Sequence, residues 1–354
     1  MKTITVNASK TYDISIGADI LPETGPIVRK LIGGQAAAVI TDDNVAPLYG
    51  KRLSDSLVQN GYRVAQFAFP HGEPSKNAGT FLSILNFLAE EKFSRKDVVI
   101  ALGGGVAGDL AGFAASCYMR GVRFVQIPTT LLAMVDSSVG GKTGINLEAG
   151  KNLAGAFYQP DAVVCDVSLL STLPPDVYSD GCAEIIKYGV IADRALFESL
   201  ETPVNKHPEE VISRCVEIKR DIVEKDEFEN GPRKLLNYGH TVGHAIELLS
   251  GYNITHGQAV AAGMAIIARA AANMGICQHQ CPDSIEQMLK KYKLPETTTY
   301  KASELAQACL ADKKRGNQNI TMIFPKEIGN CIQKEIPTTK LESIIRLGEL
   351  TIDN

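Results

Sequence analysis

Short apolar runs alternate with helix-periodic stretches through the first half of the chain. Residues 36–40, 62–69, 98–102 and 122–127 each read as a strand. The first ends at Thr41-Asp42-Asp43-Asn44, the third runs into glycines and the fourth stops at Pro128. Helical spacing of apolar positions fills the gaps, as over 78–91. Strands alternating with helices predict a parallel α/β sheet. At Thr172-Leu173-Pro174-Pro175-Asp176 the texture changes, and the two prolines are expected to close off any helix. Beyond it helical periodicity dominates, over 178–191, 208–228, 235–249, 256–273, 284–291 and 302–311, and only 319–324 reads as a strand. The expected division is an α/β domain over 1–172 and a mostly α-helical domain over 173–354.

Composition narrows the class. Hydrophobic residues make up 45% and charged residues 21% of 354, ordinary for a globular protein able to bury a sizeable core. A formal net charge of -4 argues against a nucleic-acid partner. Eight cysteines without a CxxC pair, and a polar, alternating start over 1–12 without an apolar leader core, predict reduced thiols in a cytoplasmic protein. The most apolar stretch, 259–276, carries Arg269 and two glycines and predicts a buried helix, with no membrane span.

Gly103-Gly104-Gly105-Val106-Ala107-Gly108-Asp109 follows a strand and opens a helix, satisfying GxGxxG through Gly103, Gly105 and Gly108. Glycines let the backbone approach a pyrophosphate, and a helix start supplies free N–H groups. Because the turn follows about the third strand and not the first, a variant of the Rossmann fold is expected. Asp42 and Asn44 end an earlier strand, where a carboxylate suits nucleotide hydroxyls or, equally, a turn or helix cap. Gly140-Gly141-Lys142-Thr143 looks like the end of a phosphate-binding P-loop, but Asp136 occupies the place of the first glycine. What remains is a flexible turn presenting Lys142.

Three of six histidines cluster. His240 and His244, at i and i+4, share a helix face, and His256 begins the next helix. Three imidazoles this close predict a divalent-metal site, most often zinc. Spacing alone makes His240 and His244 joint ligands. Glu184, acidic within an apolar stretch, is either an oxygen ligand or the ion-pair partner of Lys187. Lys142, Lys151, Lys187, Lys219, Arg233 and the Lys313-Lys314 pair are cations suited to a phosphate and a carboxylate if they converge, which spacing does not show.

Taken together, the segments 71–76, 103–109, 128–133, 136–144, 150–152, 157–160, 236–244, 256–257 and 312–314 resemble the 3-dehydroquinate synthases, within the sugar-phosphate cyclases, over nearly the full length. The resemblance implies an N-terminal NAD-binding α/β domain, a helical metal-binding domain and a site in the cleft between them. The implied activity converts 3-deoxy-D-arabino-heptulosonate 7-phosphate to 3-dehydroquinate and phosphate through transient oxidation by NAD, phosphate elimination, reduction, ring opening and an intramolecular aldol step. The implied zinc ligands, which also suit cobalt, are Glu184, His240 and His256; His244 is reassigned to the substrate phosphate and proton transfer.

The substrate positions implied are Lys142, Asn152, Lys187, Lys219, Arg233, Asn237 and Asp136, with one of Lys313 and Lys314, and with Arg120 reaching the phosphate site of the partner in a homodimer. Asp42, Asn44, Glu73, Lys76, Gly104, Gly105, Val106, Asp109, Thr129, Thr130, Lys142, Lys151 and Thr172 match NAD-contacting positions. Related cyclases acting on substrates without a carboxylate commonly depart at the positions matching Arg233, Asn237 or His244. All three are present here, which favours the carboxylate-bearing substrate. The rival readings are a metal-dependent NAD polyol dehydrogenase, another sugar-phosphate cyclase, or a catalytically silent NAD- or metal-binding sensor.

Overall fold

Continuous apolar runs become the central strands. In the computed structural model, which describes residues 1–311 and 318–350, the first half contains β1 (Lys2–Asn7), β2 (Thr11–Gly17), α1 (Thr24–Leu31), β3 (Ala36–Asp42), α2 (Lys51–Gln59) and β4 (Arg63–Phe69). Next come α3 (Ala78–Glu90), β5 (Val98–Gly103), α4 (Gly105–Cys117), β6 (Arg123–Pro128), β7 (Lys142–Leu147), β8 (Gly150–Phe157) and β9 (Ala162–Asp166). Seven strands form one sheet in the order β1-β2-β9-β6-β5-β3-β4, parallel throughout except for the antiparallel edge pair β1–β2. Strand β5 is buried at every position, as a strand covered on both faces requires, whereas edge strand β4 has exposed and half-buried positions.

Two expectations change here. The glycine turn follows the fifth strand in chain order, because β1 and β2 precede β3. Lys142 opens strand β7 of the β7–β8 hairpin and is not held by a flexible turn.

Asp97, 7% exposed, ties the bottom of the sheet together. Its carboxylate accepts from the backbone N–H groups of Gln35 and Ala36, where β3 begins, and from the N–H and hydroxyl of Ser94. Burial pushes its pKa up, but these bonds outweigh burial and hold it below the usual carboxylate range. A depressed folded pKa means stability that is present above the unfolded pKa, near 3.9, and lost as pH falls through the folded value. Asp97→Ala orphans three backbone donors and is expected to cost about 2–4 kcal/mol at neutral pH. Urea unfolding at pH 7 and at pH 3 checks this: the gap between wild type and variant should narrow on acidification.

The second half contains α5 (Pro175–Ala192), α6 (Arg194–Ser199), α7 (Pro208–Lys225), α8 (His240–Leu249), α9 (His256–Asn273), α10 (Gln280–Lys291) and α11 (Ala302–Ala311). After them come β10 (Asn319–Glu327), β11 (Asn330–Pro337) and α12 (Leu341–Leu347). Pro175 opens α5 where it was expected to end a helix, since the first helical position needs no N–H. The helix expected from residue 235 is interrupted: Pro232–Asn237 forms a 3-10 turn, and Gly239 takes a left-handed conformation (φ 78) before α8 starts. A second strand, β11, pairs antiparallel with β10. Contacts divide the chain into two compact units, Met1–Leu173 with Lys219–Glu227, and Pro174–Ile218 with Phe228–Asn354.

Helices α8 and α9 meet through glycine. A Cβ on Gly263 would lie 2.2 Å from the carbonyl oxygen of Gly239 and 3.0 Å from the nitrogen of Gly243. None of the eight cysteines forms a disulfide; Cys117 is exposed, Cys277 half-buried and the other six buried. No helix among the described residues is long and apolar enough to cross a membrane.

Candidate active site

In the first unit, the chain leaves β3 for one side of the sheet, through α2 to β4, and leaves β5 for the other, through α4 to β6. The carboxyl ends of β3 and β5 therefore flank a switch point in strand order, where open α/β sheets place their ligands. Asp42 ends β3 and Gly103 ends β5, and a Cβ on Gly103 would lie 3.4 Å from the Asp42 carboxylate. Gly104 caps α4 without a side chain of its own. A Cβ on Gly108 would come within 2.8 Å of the Gln126 side chain on β6, so this glycine lets the helix lie close on the sheet. Val106 and Asp109 lie in the first turns of α4; Thr129 is buried beside it, and its N–H donates to the Gly103 carbonyl at 3.0 Å.

Asp42 also makes the bland contacts available to it, accepting from the N–H groups of Asn44 (3.0 Å) and Val45 (2.9 Å). Burial raises its pKa despite those bonds. Asn44 is exposed. Thr130 accepts from the Ala133 N–H, and the Thr172 hydroxyl lies 2.5 Å from that of Tyr49.

A polar cluster surrounds Lys76, which is 5% exposed. Its ammonium pairs with Asp109 and donates to the Asn152 side chain. Burial raises the Asp109 pKa, opposed by Lys76. Asn152 occupies the left-handed region (φ 56). Glu73 accepts from Asn146 at 2.7 Å and lies 3.9 Å from Lys151. Lys219 pairs with the Asp136 carboxylate at 3.0 Å and donates to its carbonyl at 2.7 Å. Lys142 is exposed, as is Arg120, which sits after α4 in a left-handed conformation (φ 66).

In the second unit, helices α5, α8 and α9 bring one side chain each to a common point. Glu184 Oε1 lies 3.4 Å from His240 Nε2 and 3.3 Å from His256 Nε2. A tetrahedral ion bonded at about 2.0–2.1 Å keeps its donor atoms about 3.3–3.4 Å apart, so these spacings suit zinc. Glu184 is 1% exposed, and neither of its oxygens makes a well-formed hydrogen bond, although Oε2 is ion-paired with the equally buried Lys187. Both readings of Glu184, as ligand and as partner of Lys187, are thus compatible with one geometry. Burial favours the neutral carboxyl, but Lys187 and His240 overcome it and hold the pKa well below the usual range.

The backbone carbonyl of Tyr238 lies 3.0 Å from His240 Nδ1 and can accept a proton held there, which leaves the Nε2 lone pair, on the side of Glu184, free for a metal ion. His244 shares the face of α8, its ring centroid 5.5 Å from that of His240, but it is exposed. Among the described residues two groups could hold an ion, Glu184 with His240 and His256, and His244 with Glu247 and His256; neither joins His240 to His244, the pair that spacing alone suggests.

Arg233 is 1% exposed and Asn237 donates to Glu229 at 2.5 Å. Lys313 and Lys314 lie outside the described residues. Two acidic residues escaped the sequence reading. Asp180, one turn before Glu184 on α5, accepts from the Thr255 hydroxyl (2.5 Å) and the Gln258 N–H (3.2 Å), capping the start of α9 from another helix. Glu247, 2% exposed, lies 3.4 Å from His256 Nδ1. Its signal was present: it follows His240 by seven positions and His244 by three, on the same helix face.

Known proteins share this sequence along its length and this fold. The 3-dehydroquinate synthase N-terminal family matches residues 66–180 and the 3-dehydroquinate synthase C-terminal family matches residues 181–315. A 3-dehydroquinate synthase of Geobacter metallireducens is 43% identical, with 99% of this chain and 97% of that protein covered. One of Vibrio atlanticus is 44% identical, covering 98% of each. Among solved structures, a 2-deoxy-scyllo-inosose synthase in complex with carbaglucose-6-phosphate, NAD+ and Co2+ superposes with a TM-score of 0.85 at 25% identity, covering 98% of this chain and 99% of that one. Matched in both halves and along nearly its whole length, the chain belongs to the 3-dehydroquinate synthase family.

Proposed function

We infer that this enzyme converts 3-deoxy-D-arabino-heptulosonate 7-phosphate to 3-dehydroquinate and phosphate, a carbon–oxygen lyase step of the shikimate pathway. The observation that carries its metal chemistry is the triangle of Glu184, His240 and His256. Bound NAD supplies reversible hydride acceptance, and a bound zinc or cobalt ion supplies polarisation of the substrate hydroxyls; the solved inosose synthase holds NAD+ and Co2+.

The roles we assign follow from charge and shape. Glu184, His240 and His256 hold the ion. Asp42, Asn44, Glu73, Lys76, Gly104, Gly105, Val106, Asp109, Thr129, Thr130, Lys142, Lys151 and Thr172 hold the nucleotide. Arg233, with a planar fork, binds the substrate carboxylate together with Lys219, which Asp136 orients. Lys142, Asn152 and His244 bind the phosphate, and His244 assists the proton that leaves with it. Lys187 neutralises negative charge developing near the reacting carbons. Asn237 contacts substrate hydroxyls, and one of Lys313 and Lys314 completes the set. We further propose a homodimer, with Arg120 serving the phosphate site of the partner subunit, and a cytoplasmic setting, which eight cysteines in no disulfide support.

The test is phosphate release with zinc and NAD far below the substrate concentration. Release of one phosphate per substrate, with no net gain in NADH absorbance, is expected because the hydride is returned. Stoichiometric NADH from polyols, without phosphate release, would instead identify a polyol dehydrogenase.

A further inference from the structure

We infer that Glu247 is a positioning residue for the metal centre, fixing the His256 ring so that Nε2 faces Glu184. This rests on the reading that Glu184, His240 and His256 hold a divalent ion.

An imidazole has two similar edges, and a ligand histidine must present one of them with its lone pair free. His256 meets a carboxylate at each edge: Glu247 Oε2 lies 3.4 Å from Nδ1, and Glu184 Oε1 lies 3.3 Å from Nε2. Once a metal takes Nε2, the ring proton belongs on Nδ1, where Glu247 can only accept it. His240 has the matching arrangement with a different acceptor, the Tyr238 carbonyl at 3.0 Å from Nδ1. The two ligands thus share one tautomer through separate supports. Glu247 follows Ala245 and Ile246 and precedes Leu248 and Leu249, and at 2% exposure its charge is costly unless matched. A carboxylate behind a metal-bound histidine orients the ring and raises its basicity. Asp180 anchors the backbone at the start of α9, and Glu247 sets the ring that this backbone carries.

The experiment titrates zinc into chelator-stripped full-length protein against a chromophoric chelator, for wild type, Glu247→Gln, Glu247→Ala and Glu184→Gln. Nitrogen-15 shifts of the histidine rings are recorded alongside, with and without zinc. Zinc dissociation constants about 10–100-fold weaker are expected for Glu247→Ala, with a smaller loss for Glu247→Gln, whose amide oxygen still accepts. In zinc-loaded wild type His256 should be protonated at Nδ1 and metal-bound at Nε2, and that signature should be lost or mixed in Glu247→Ala. If Glu247→Ala fails to fold, the affinity and ring shifts of Glu247→Gln decide. Wild-type affinity and ring shifts in the folded Glu247 variants, with zinc lost in Glu184→Gln, would overturn this inference alone. Unchanged zinc binding in Glu184→Gln would overturn the metal assignment beneath it.

Discussion

Glu184→Gln is expected to leave the chain folded and to reduce phosphate release by about 10²- to 10⁴-fold. The substitution keeps the shape and removes the charge. It takes the anionic donor from between His240 Nε2 and His256 Nε2, at 3.4 and 3.3 Å, and removes the Glu184 side of a buried ion pair from Lys187, 1% exposed. Breaking a buried pair from one side costs about 3–5 kcal/mol, which as lost metal or transition-state binding is the stated range. The measurements are kcat/KM for phosphate release and zinc content after dialysis. A second substitution separates the two consequences. Lys187→Met added to Glu184→Gln should recover part of the lost thermal stability, because a buried charge no longer faces a neutral amide in place of a carboxylate, and should recover no turnover. Full zinc occupancy with near-normal turnover in Glu184→Gln would remove Glu184 from the site.

The second large effect concerns a residue with no polar group. Gly263→Ala would place a methyl 2.2 Å from the Gly239 carbonyl oxygen, a backbone atom that can yield only if the approach of α8 to α9 opens. Overpacking of this kind costs typically about 1–3 kcal/mol, occasionally more. Here the consequence reaches the chemistry, because Gly239 immediately precedes His240 while Gly263 shares a helix with His256. Melting several degrees lower and zinc affinity weaker by tenfold or more are expected, from thermal circular dichroism and chelator competition. A variant that melts and binds zinc like wild type would show that the crossing relaxes freely.

What the linear chain disclosed follows from where its information lies. The runs 36–40 and 98–102 that became β3 and β5 are wholly apolar, and the run of β6 is broken only by Arg123 and Gln126, so they were legible. Strand β8 holds Gly150, Lys151, Asn152 and Gly155 and has no comparable run, so its pairing with β7 is visible only in three dimensions. Gly239 hid a helix break inside an apolar periodicity because its left-handed φ is a backbone fact, not a hydrophobic one. Sequence spacing could relate His240 to His244, one turn apart, but not Glu184 to His256, which meet only because α5 and α9 pack. The trio of Glu184, His240 and His256 came from likeness to a family, and its three donor atoms lie close enough together to share an ion.

The distribution of sulfur gives the molecule a built-in counter. A brief pulse of a small alkylating reagent on native protein should mark Cys117 first and Cys277 more slowly, sparing the six interior thiols. Of those six, only Cys165 belongs to the unit containing Met1–Leu173, while Cys182, Cys215, Cys281, Cys309 and Cys331 belong to the other. As denaturant rises, the mass gained per chain would therefore show which half opens first, without any engineered label.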